Sequence, residues 1–191
     1  MPSFARGPMQ LSAGGSFTNG ASTYGGSVGF GAPRSPYGTV GLTTTDSDGV
    51  GALAYNLGVS GGYQLPLGTG RAELCPVASL NLGWGPNDVV GPGVDLSNRT
   101  LAAGAVLGVK VGTGLRVQVV PNAGLLLANS RVKVDDGTVS VSDSETYGAI
   151  TLGTGRIFGS RFALNPTLAI PVGLGGTDPT FGVTAAINFG R

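Results

Sequence analysis

The sequence contains no histidine, and among its 191 residues it has a single cysteine, Cys75. Without histidine the Ser-His-Asp and Cys-His arrangements are excluded, and zinc sites lose their commonest nitrogen ligand. One cysteine cannot form an intramolecular disulfide. We therefore expect a protein that is not an enzyme and holds no metal or cofactor. For Cys75 a small residue beside Pro76 in a strand is favoured over a reactive thiol.

Charge and long apolar runs are also scarce. Charged residues make up 11% of the chain and the formal net charge is +1, with no basic cluster, so a nucleic-acid partner is not expected. No stretch offers the roughly 20 consecutive apolar residues of a membrane helix. The first residues, MPSFARGPMQ, lack the apolar segment of a signal peptide, so we expect either a cytosolic chain or a processed or engineered N-terminus.

What the sequence has instead is glycine, 36 residues, and apolar residues that alternate with small or polar ones. Leu11, Ala13 and Phe17 share one face of a predicted strand. Asn19-Gly20 follows, which is the strongest short signal for a β-hairpin because a type I′ turn needs positive φ at both central residues. This turn predicts that Thr18 lies opposite Ala21 and Phe17 opposite Ser22.

An Arg-x4-Pro phrase returns every 45 residues, in RAELCPVASL (71–80), RVQVVPNAGL (116–125) and RFALNPTLAI (161–170). Each phrase follows a tight glycine-containing turn and begins a strand with one unbroken apolar face. The repeat therefore predicts one supersecondary unit of strand, loop, returning strand and short turn. Proline removes a ladder donor, so we expect a bulge or a weakly paired site at Pro76, Pro121 and Pro166.

The connections at the other ends of the predicted hairpins are longer and acidic: 43–51, 83–98, 128–148 and 173–180. The acidic residues that we single out there as candidates for cation or cell-surface contacts are Asp46, Asp48, Asp135, Asp136, Asp143 and Asp178. Calcium binding is weighed against simple turn formation, and turn formation is favoured because the spacing of an EF-hand loop is missing.

Across the nine predicted strands whose phase is clear, the apolar face carries no charged residue, whereas the opposite face is built mainly of Gly, Ser, Asn and Thr; the phase of the strand near 146–157 is ambiguous. Such a small, polar face makes a poor hydrophobic core but a reasonable wet lumen, which leaves the apolar face for lipid. The sequence thus predicts an all-β fold, a closed antiparallel transmembrane β-barrel of about ten strands, with eight as the alternative. Residues 1–8 are expected to form an N-terminal tail and residues 9–191 a single barrel domain. Two aromatic girdles are predicted, Phe30, Tyr63, Phe162 and Phe189 near the short turns, and Phe17, Tyr55, Trp84 and Phe181 near the long loops.

In this pattern, and in the final FGVTAAINFGR, the chain resembles the small bacterial outer-membrane β-barrels. The resemblance implies a place in the outer membrane, short periplasmic turns, longer external loops, membrane lipid as a partner, and recognition of the C-terminal strand by the barrel-assembly machinery. Enzymes of this group use a catalytic histidine, so their activities are not expected here.

The candidate site is a cluster of charges on the lumen side. A three-residue turn would pair Val111 with Leu115 and place Lys110 opposite Arg116, and Glu73 is the acidic residue expected on that face. Arg71 and Arg161 begin their strands on the same side. Two interpretations stay open for this cluster: a salt-bridged plug that fastens the barrel, which we favour, and a selectivity filter.

The predicted function is therefore a non-enzymatic outer-membrane barrel with a structural, surface-interaction or narrow-pore role. Homo-oligomerisation is left open. The alternative is a secreted, extracellular β-rich subunit of a tube or fibre, in which the apolar face would be buried against neighbouring copies.

Overall fold

The computed structural model describes residues 8–32, 34–86, 93–111, 117–158, 161–173 and 177–190. Nearly all of them lie in strands. The strands are β1 (Met9–Thr18), β2 (Ala21–Gly31), β3 (Pro36–Ser47), β4 (Leu53–Tyr63), β5 (Leu65–Leu67), β6 (Ala72–Trp84), β7 (Asp95–Val109), β8 (Val117–Asp135), β9 (Ser140–Phe158), β10 (Phe162–Val172) and β11 (Thr180–Phe189).

The strands form one antiparallel sheet that closes on itself. β1 pairs with β2 and with β11, and both β4 and β5 pair with β6. Gly62 lies opposite Val77 and Leu65 opposite Leu74, so β4 and β5 keep one register and act as a single strand interrupted at Gln64. The result is a closed ten-stranded barrel, which confirms the predicted fold and strand number.

The first hairpin has the predicted register. Thr18 pairs with Ala21 and Phe17 with Ser22, and Gly20 has a φ of 77°. A type I′ turn needs positive φ at both central residues, but Arg34 is the only described non-glycine residue with a positive φ, so the register is as predicted and the turn type is not. The turn therefore fixes which side chains of β1 and β2 share a face, starting with Leu11 and Val28.

The large apolar side chains lie on the outside of the barrel. Leu125 is 67% exposed and Leu42 is 60% exposed, and the alternate residues of the same strands face the lumen. The buried apolar residues are few and mostly small: Tyr37, Cys75, Ala128, Ile157 and Ala186. So small a core could not hold a water-soluble domain of this size together, whereas an apolar exterior suits a barrel surrounded by lipid.

Aromatic side chains project outward near both ends of the barrel. At the end with the longer connections, Phe17, Tyr55, Trp84 and Phe181 are each 44–50% exposed. Phe17 also meets Tyr24 edge to face, with ring centroids 5.8 Å apart. At the other end the exposed aromatics are Phe30, Tyr63, Phe158, Phe162 and Phe189. Both predicted girdles are thus present on the outer face.

The three repeat prolines interrupt the ladder without shifting it. At Pro76 pairing with β4 stops at Gly62–Val77 and resumes at Leu65–Leu74. At Pro166 pairing with β9 stops at Leu164–Arg156 and resumes at Thr167–Gly153. At Pro121 pairing with β7 stops at Gly108–Asn122 and resumes at Val111–Val119. Each break keeps the register, so the weak pairing predicted at the prolines is confirmed and no bulge forms.

The long loop predicted at 128–148 is wrong. β8 and β9 are 19 residues long and pair from Val117–Phe158 out to Asp135–Ser140, so the segment is a continuous hairpin. Residues 95–99 of β7 extend alongside β8. We call residues 95–99, 129–135 and 140–147 the projecting sheet, since they continue beyond Leu127 and Ile150, the last exposed apolar residues on the outer face of β8 and β9.

No helix within the described ranges has both the length and the apolar character needed to cross a membrane.

Candidate functional site in the barrel lumen

Glu73 and Lys110 form an ion pair inside the lumen, close to the short-turn end of the barrel. Glu73 is carried by β6, and Lys110 directly follows β7, where its backbone N–H donates a 2.7 Å hydrogen bond to the carbonyl of Arg71. The two side chains are 23% and 31% exposed, respectively. The sequence predicted that Glu73 would balance lumen charge, and the structure gives it Lys110 as the partner.

The rest of the predicted charge cluster is not gathered there. Val111 pairs with Val119 and not with Leu115, so the predicted three-residue turn is wrong. Arg116 lies outside the described residues. Arg71 and Arg161 are exposed residues in the turns before β6 and β10, and neither takes part in the ion pairs found among the described residues. Glycine and proline patterning indicated that a turn was present but did not fix its length.

A second polar contact joins the first strand to the last. Gln10 Nε2 donates to Asn188 Oδ1 at 3.2 Å, and Asn188 Nδ2 donates to the carbonyl of Arg161 at 3.3 Å. Gln10 is 8% exposed and Asn188 1%. Sequence analysis missed this pair because its members are 178 residues apart and nothing in either strand marks them. Their position on the small-residue face near the ends of β1 and β11 was the only available signal.

Tyr37, Gln64 and Cys75 complete this polar end of the lumen. They are 8%, 6% and 1% exposed. A Cβ on Gly62 would lie 2.6 Å from the Tyr37 hydroxyl, so the ring fills the space beside β4 that the glycine leaves free. We call Gln10, Tyr37, Gln64, Glu73, Cys75, Lys110 and Asn188 the lumen plug. Cys75 was predicted only as a small strand residue, and its burial is a finding of the structure.

Above the plug the lumen holds a cavity of about 330 Å³ lined by hydroxyl groups and glycines. Neighbouring hydroxyls bond across the strands: Ser12 to Ser27 at 2.6 Å and Thr39 to Ser60 at 2.6 Å. Such walls offer hydrogen bonds but no base or nucleophile with an activating partner. Among the described residues no group of three or more His, Cys, Asp or Glu side chains lies close enough together to hold a metal ion.

The acidic candidates are divided among three external connections. Asp46, Asp135 and Asp143 lie within β3, β8 and β9, and not in loops as predicted, whereas Asp48 and Asp178 are exposed in connections. Asp136 closes the tip of the β8–β9 hairpin: it accepts from Val139 N at 2.6 Å and from Thr138 N and Oγ1 at 2.8 Å. These bonds, led by the one from Val139, hold the pKa of Asp136 below its usual value. The pKa of Asp135 is also lowered, and the main cause is the hydrogen bond from Lys133.

No family model matches the chain, and no curated protein matches it. Among solved structures, the β domain of the Bordetella autotransporter BrkA superposes with a TM-score of 0.52 at 15% identity, covering 96% of this chain and 99% of that one. Neisserial surface protein A gives a TM-score of 0.48 at 14% identity, covering 95% and 96%. The attachment invasion locus protein of Yersinia pestis gives a TM-score of 0.45 at 13% identity, covering 96% and 99%. The BrkA likeness carries the assignment, and it agrees with the closed ladder and the apolar exterior. The chain therefore has the fold of the bacterial outer-membrane β-barrels.

Proposed function

We propose that the protein is a non-enzymatic barrel of the bacterial outer membrane that acts through its external surface, and that its lumen does not conduct. The observation that carries this proposal is the lumen plug. It combines an ion pair between β6 and the end of β7 with a hydrogen-bonded amide pair between β1 and β11, both on the lumen side near the short-turn end. Tyr37, Gln64 and Cys75 are buried at the same end, so the packed side chains leave little room there for a solute to pass.

The projecting sheet supports the surface role. Its side chains carry both signs of charge, and Val132 and Val141 are 46% and 62% exposed on it. Pairing between β9 and β10 ends at Gly148–Val172, so within the described part of the chain residues 140–147 have no strand partner on that side. A free strand edge with exposed valines beside it is the kind of surface that binds an extended segment of another protein.

A narrow pore is the second candidate, favoured by the hydroxyl-lined cavity of about 330 Å³. Planar-bilayer recording separates the two functions. We expect no resolvable current steps from the wild-type barrel, and steps from the plug variant Glu73→Ala/Lys110→Ala, which serves as the control that channels can be detected. Steady current steps from the wild type would overturn the proposal.

The external position of the projecting sheet can be tested on intact cells. In a Cys75→Ser background we expect Ser142→Cys to react with a membrane-impermeant maleimide, because Ser142 is exposed in β9. Ser79→Cys, which faces the lumen cavity, is the matched control and should react far less. Equal labelling of the two, or none at Ser142→Cys before cell lysis, would contradict the proposed surface role.

Two partners follow from the same proposal. Membrane lipid covers the outer apolar face, and the barrel-assembly machinery recognises β11, whose outward residues include Phe181, Ile187 and Phe189, each 41–50% exposed. The closed ladder leaves no strand edge across the apolar band on which copies could add, and the fold shared with the BrkA β domain favours lipid over neighbouring copies as the cover of the apolar face.

A further inference from the structure

Two arginines face each other on the outside of the barrel, at the external edge of the apolar band. Arg99 of β7 lies directly opposite Arg131 of β8. The next residues, Thr100 and Ser130, are hydrogen-bonded through their hydroxyls at 3.1 Å and are part-buried on the lumen side. Because side chains alternate along a strand, the two exposed arginines point outward.

This arginine pair has no acidic partner among the described residues. The ion pairs found there are Lys110 with Glu73 and Lys133 with Asp135. Arg131 donates to the hydroxyl of Ser142 at 2.8 Å, a neutral acceptor. Like charges directly opposite each other destabilise a sheet, so an anion placed between the two guanidinium groups would relieve the repulsion.

A mostly apolar groove of about 610 Å³ lies immediately below the arginine pair. Its upper side is formed by Leu80, Leu101 and Asn129, which are register partners in one row across β6, β7 and β8. Its floor is the next row, with the small residues Gly61, Ala78 and Ala103. Leu101 follows Arg99 by two residues, or about 7 Å along the strand, which is within the reach of an arginine side chain.

We propose that Arg99 and Arg131 bind the phosphate of a phosphate-bearing lipid in the external leaflet, with one acyl chain of that lipid in the groove below. The inference rests on the membrane placement proposed above. Arginine suits the role because its planar donors match phosphate oxygens in pairs, and each basic residue at a membrane surface strengthens binding to anionic lipid about fivefold.

The chain contains its own reporter for this site. Trp84 is the only tryptophan, and it is the register partner of Ser97, two residues before Arg99. Such a diagonal neighbour lies about 7–8 Å away. A lipid with brominated acyl chains quenches tryptophan fluorescence on close approach, so a lipid held at the arginine pair should quench Trp84 more than a freely diffusing one.

The experiment reconstitutes the barrel in phosphatidylcholine vesicles containing a small fraction of brominated phosphatidic acid, or the same fraction of brominated phosphatidylcholine. We expect phosphatidic acid to quench Trp84 more strongly, and Arg99→Gln/Arg131→Gln to lose that excess. Arg156→Gln, at an exposed arginine on the outer face of β9 near the opposite end, is the matched control and should keep it.

Equal quenching by the two lipids in the wild type would overturn the proposal, as would an excess that survives in the double variant. Inorganic phosphate is added separately at millimolar concentration. If it abolished the excess, the site would be one for free phosphate and the lipid assignment would be wrong. A change of gel mobility between boiled and unboiled samples shows that each variant is a folded barrel. This control distinguishes a barrel that does not fold from a folded barrel that does not bind the lipid.

Discussion

Gln10 and Asn188 hold the first and the last strand together with a buried amide-to-amide hydrogen bond of 3.2 Å, directly across the register of β1 and β11. Closure of the barrel is therefore marked by a specific polar contact as well as by backbone pairing. Asn188 is 1% exposed and also donates to the carbonyl of Arg161. If the side-chain amide of Gln10 or Asn188 were removed, the other amide could therefore not replace the lost hydrogen bond with one to water.

We expect Asn188→Ala to lower the free energy of unfolding by about 1–3 kcal/mol, since it leaves the buried amide of Gln10 and the carbonyl of Arg161 without that partner. Urea unfolding in phospholipid vesicles, followed by the fluorescence of Trp84, measures the change. Asn129→Ala is the control, because Asn129 is exposed and its bond to Thr146, 2.9 Å long, can be replaced by water. Equal losses in the two variants would show that the seam contact has no special role.

Gly104 is predicted to be intolerant of any side chain. A Cβ there would collide with the backbone carbonyl of Leu125 on the neighbouring strand. Backbone cannot move aside as a flexible side chain can, so we expect Gly104→Ala to cost about 1–3 kcal/mol. Gly38→Ala, where the nearest atom would be 3.8 Å away, should change stability by less than about 0.5 kcal/mol. The two variants are compared by urea unfolding, and similar midpoints would contradict the prediction.

The ion pair of the lumen plug should be coupled in a double-mutant cycle. Each side chain is less than a third exposed, so removing one leaves the other charge partly desolvated without its partner. We expect the losses of unfolding free energy in Glu73→Gln and Lys110→Met, added together, to exceed the loss in the double variant by about 1–2 kcal/mol. This coupling energy is discounted for the partial solvent access of the pair. Strict additivity of the two unfolding free energies would show that the pair is not an energetic unit.

The tip of the β8–β9 hairpin should loosen in acid while the barrel stays folded. The pKa of Asp136 is lowered by hydrogen bonds from Val139 and Thr138, so its contribution is fully present above the ordinary aspartate pKa of 3.8 and is lost as pH falls through the lower folded value. Amide hydrogen exchange at Thr138 and Val139 should therefore accelerate in that range, beyond the intrinsic pH effect.

In Asp136→Asn the backbone amides of Thr138 and Val139 should exchange faster at neutral pH than in the wild type. The side-chain amide of asparagine lacks the negative charge that strengthens these hydrogen bonds. Asp178→Asn, in a different connection, should leave the tip unchanged. Slow exchange at Thr138 in Asp136→Asn would mean that the turn is held by its backbone alone.

The sequence predicted local pairing well and distant pairing poorly. The Asn19-Gly20 turn fixes its hairpin register through backbone conformation alone, and the period of two then carries the assignment of faces along each strand. The segment GTGLR (112–116) contains two glycines, so the sequence alone is compatible with more than one turn. The predicted partner of Val111 was Leu115, whereas the observed partner is Val119, four residues further along the chain.

The length of the β8–β9 hairpin was missed for a different reason. Serines and acidic residues between Asn129 and Tyr147 look like a loop by composition, yet both faces of a strand that extends into water are free to be polar. Of the lumen plug, the sequence identified the charged residues Glu73 and Lys110 as members of a site. Neutral members such as Gln10 and Asn188 become visible only when the barrel closes and brings the chain ends together.

The breaks at Pro76, Pro121 and Pro166 divide the barrel mechanically. Each lies in a seam joined by a short turn, whereas the seams β6–β7, β8–β9 and β10–β11 are paired without such a gap. The gaps thus divide the ladder into three pieces, the pairs β6–β7 and β8–β9 and a six-stranded piece that runs from β10 and β11 through β1, β2 and β3 to β4. If the wall were pulled apart sideways, we expect it to part at the three proline seams and release two intact hairpins and one six-stranded sheet.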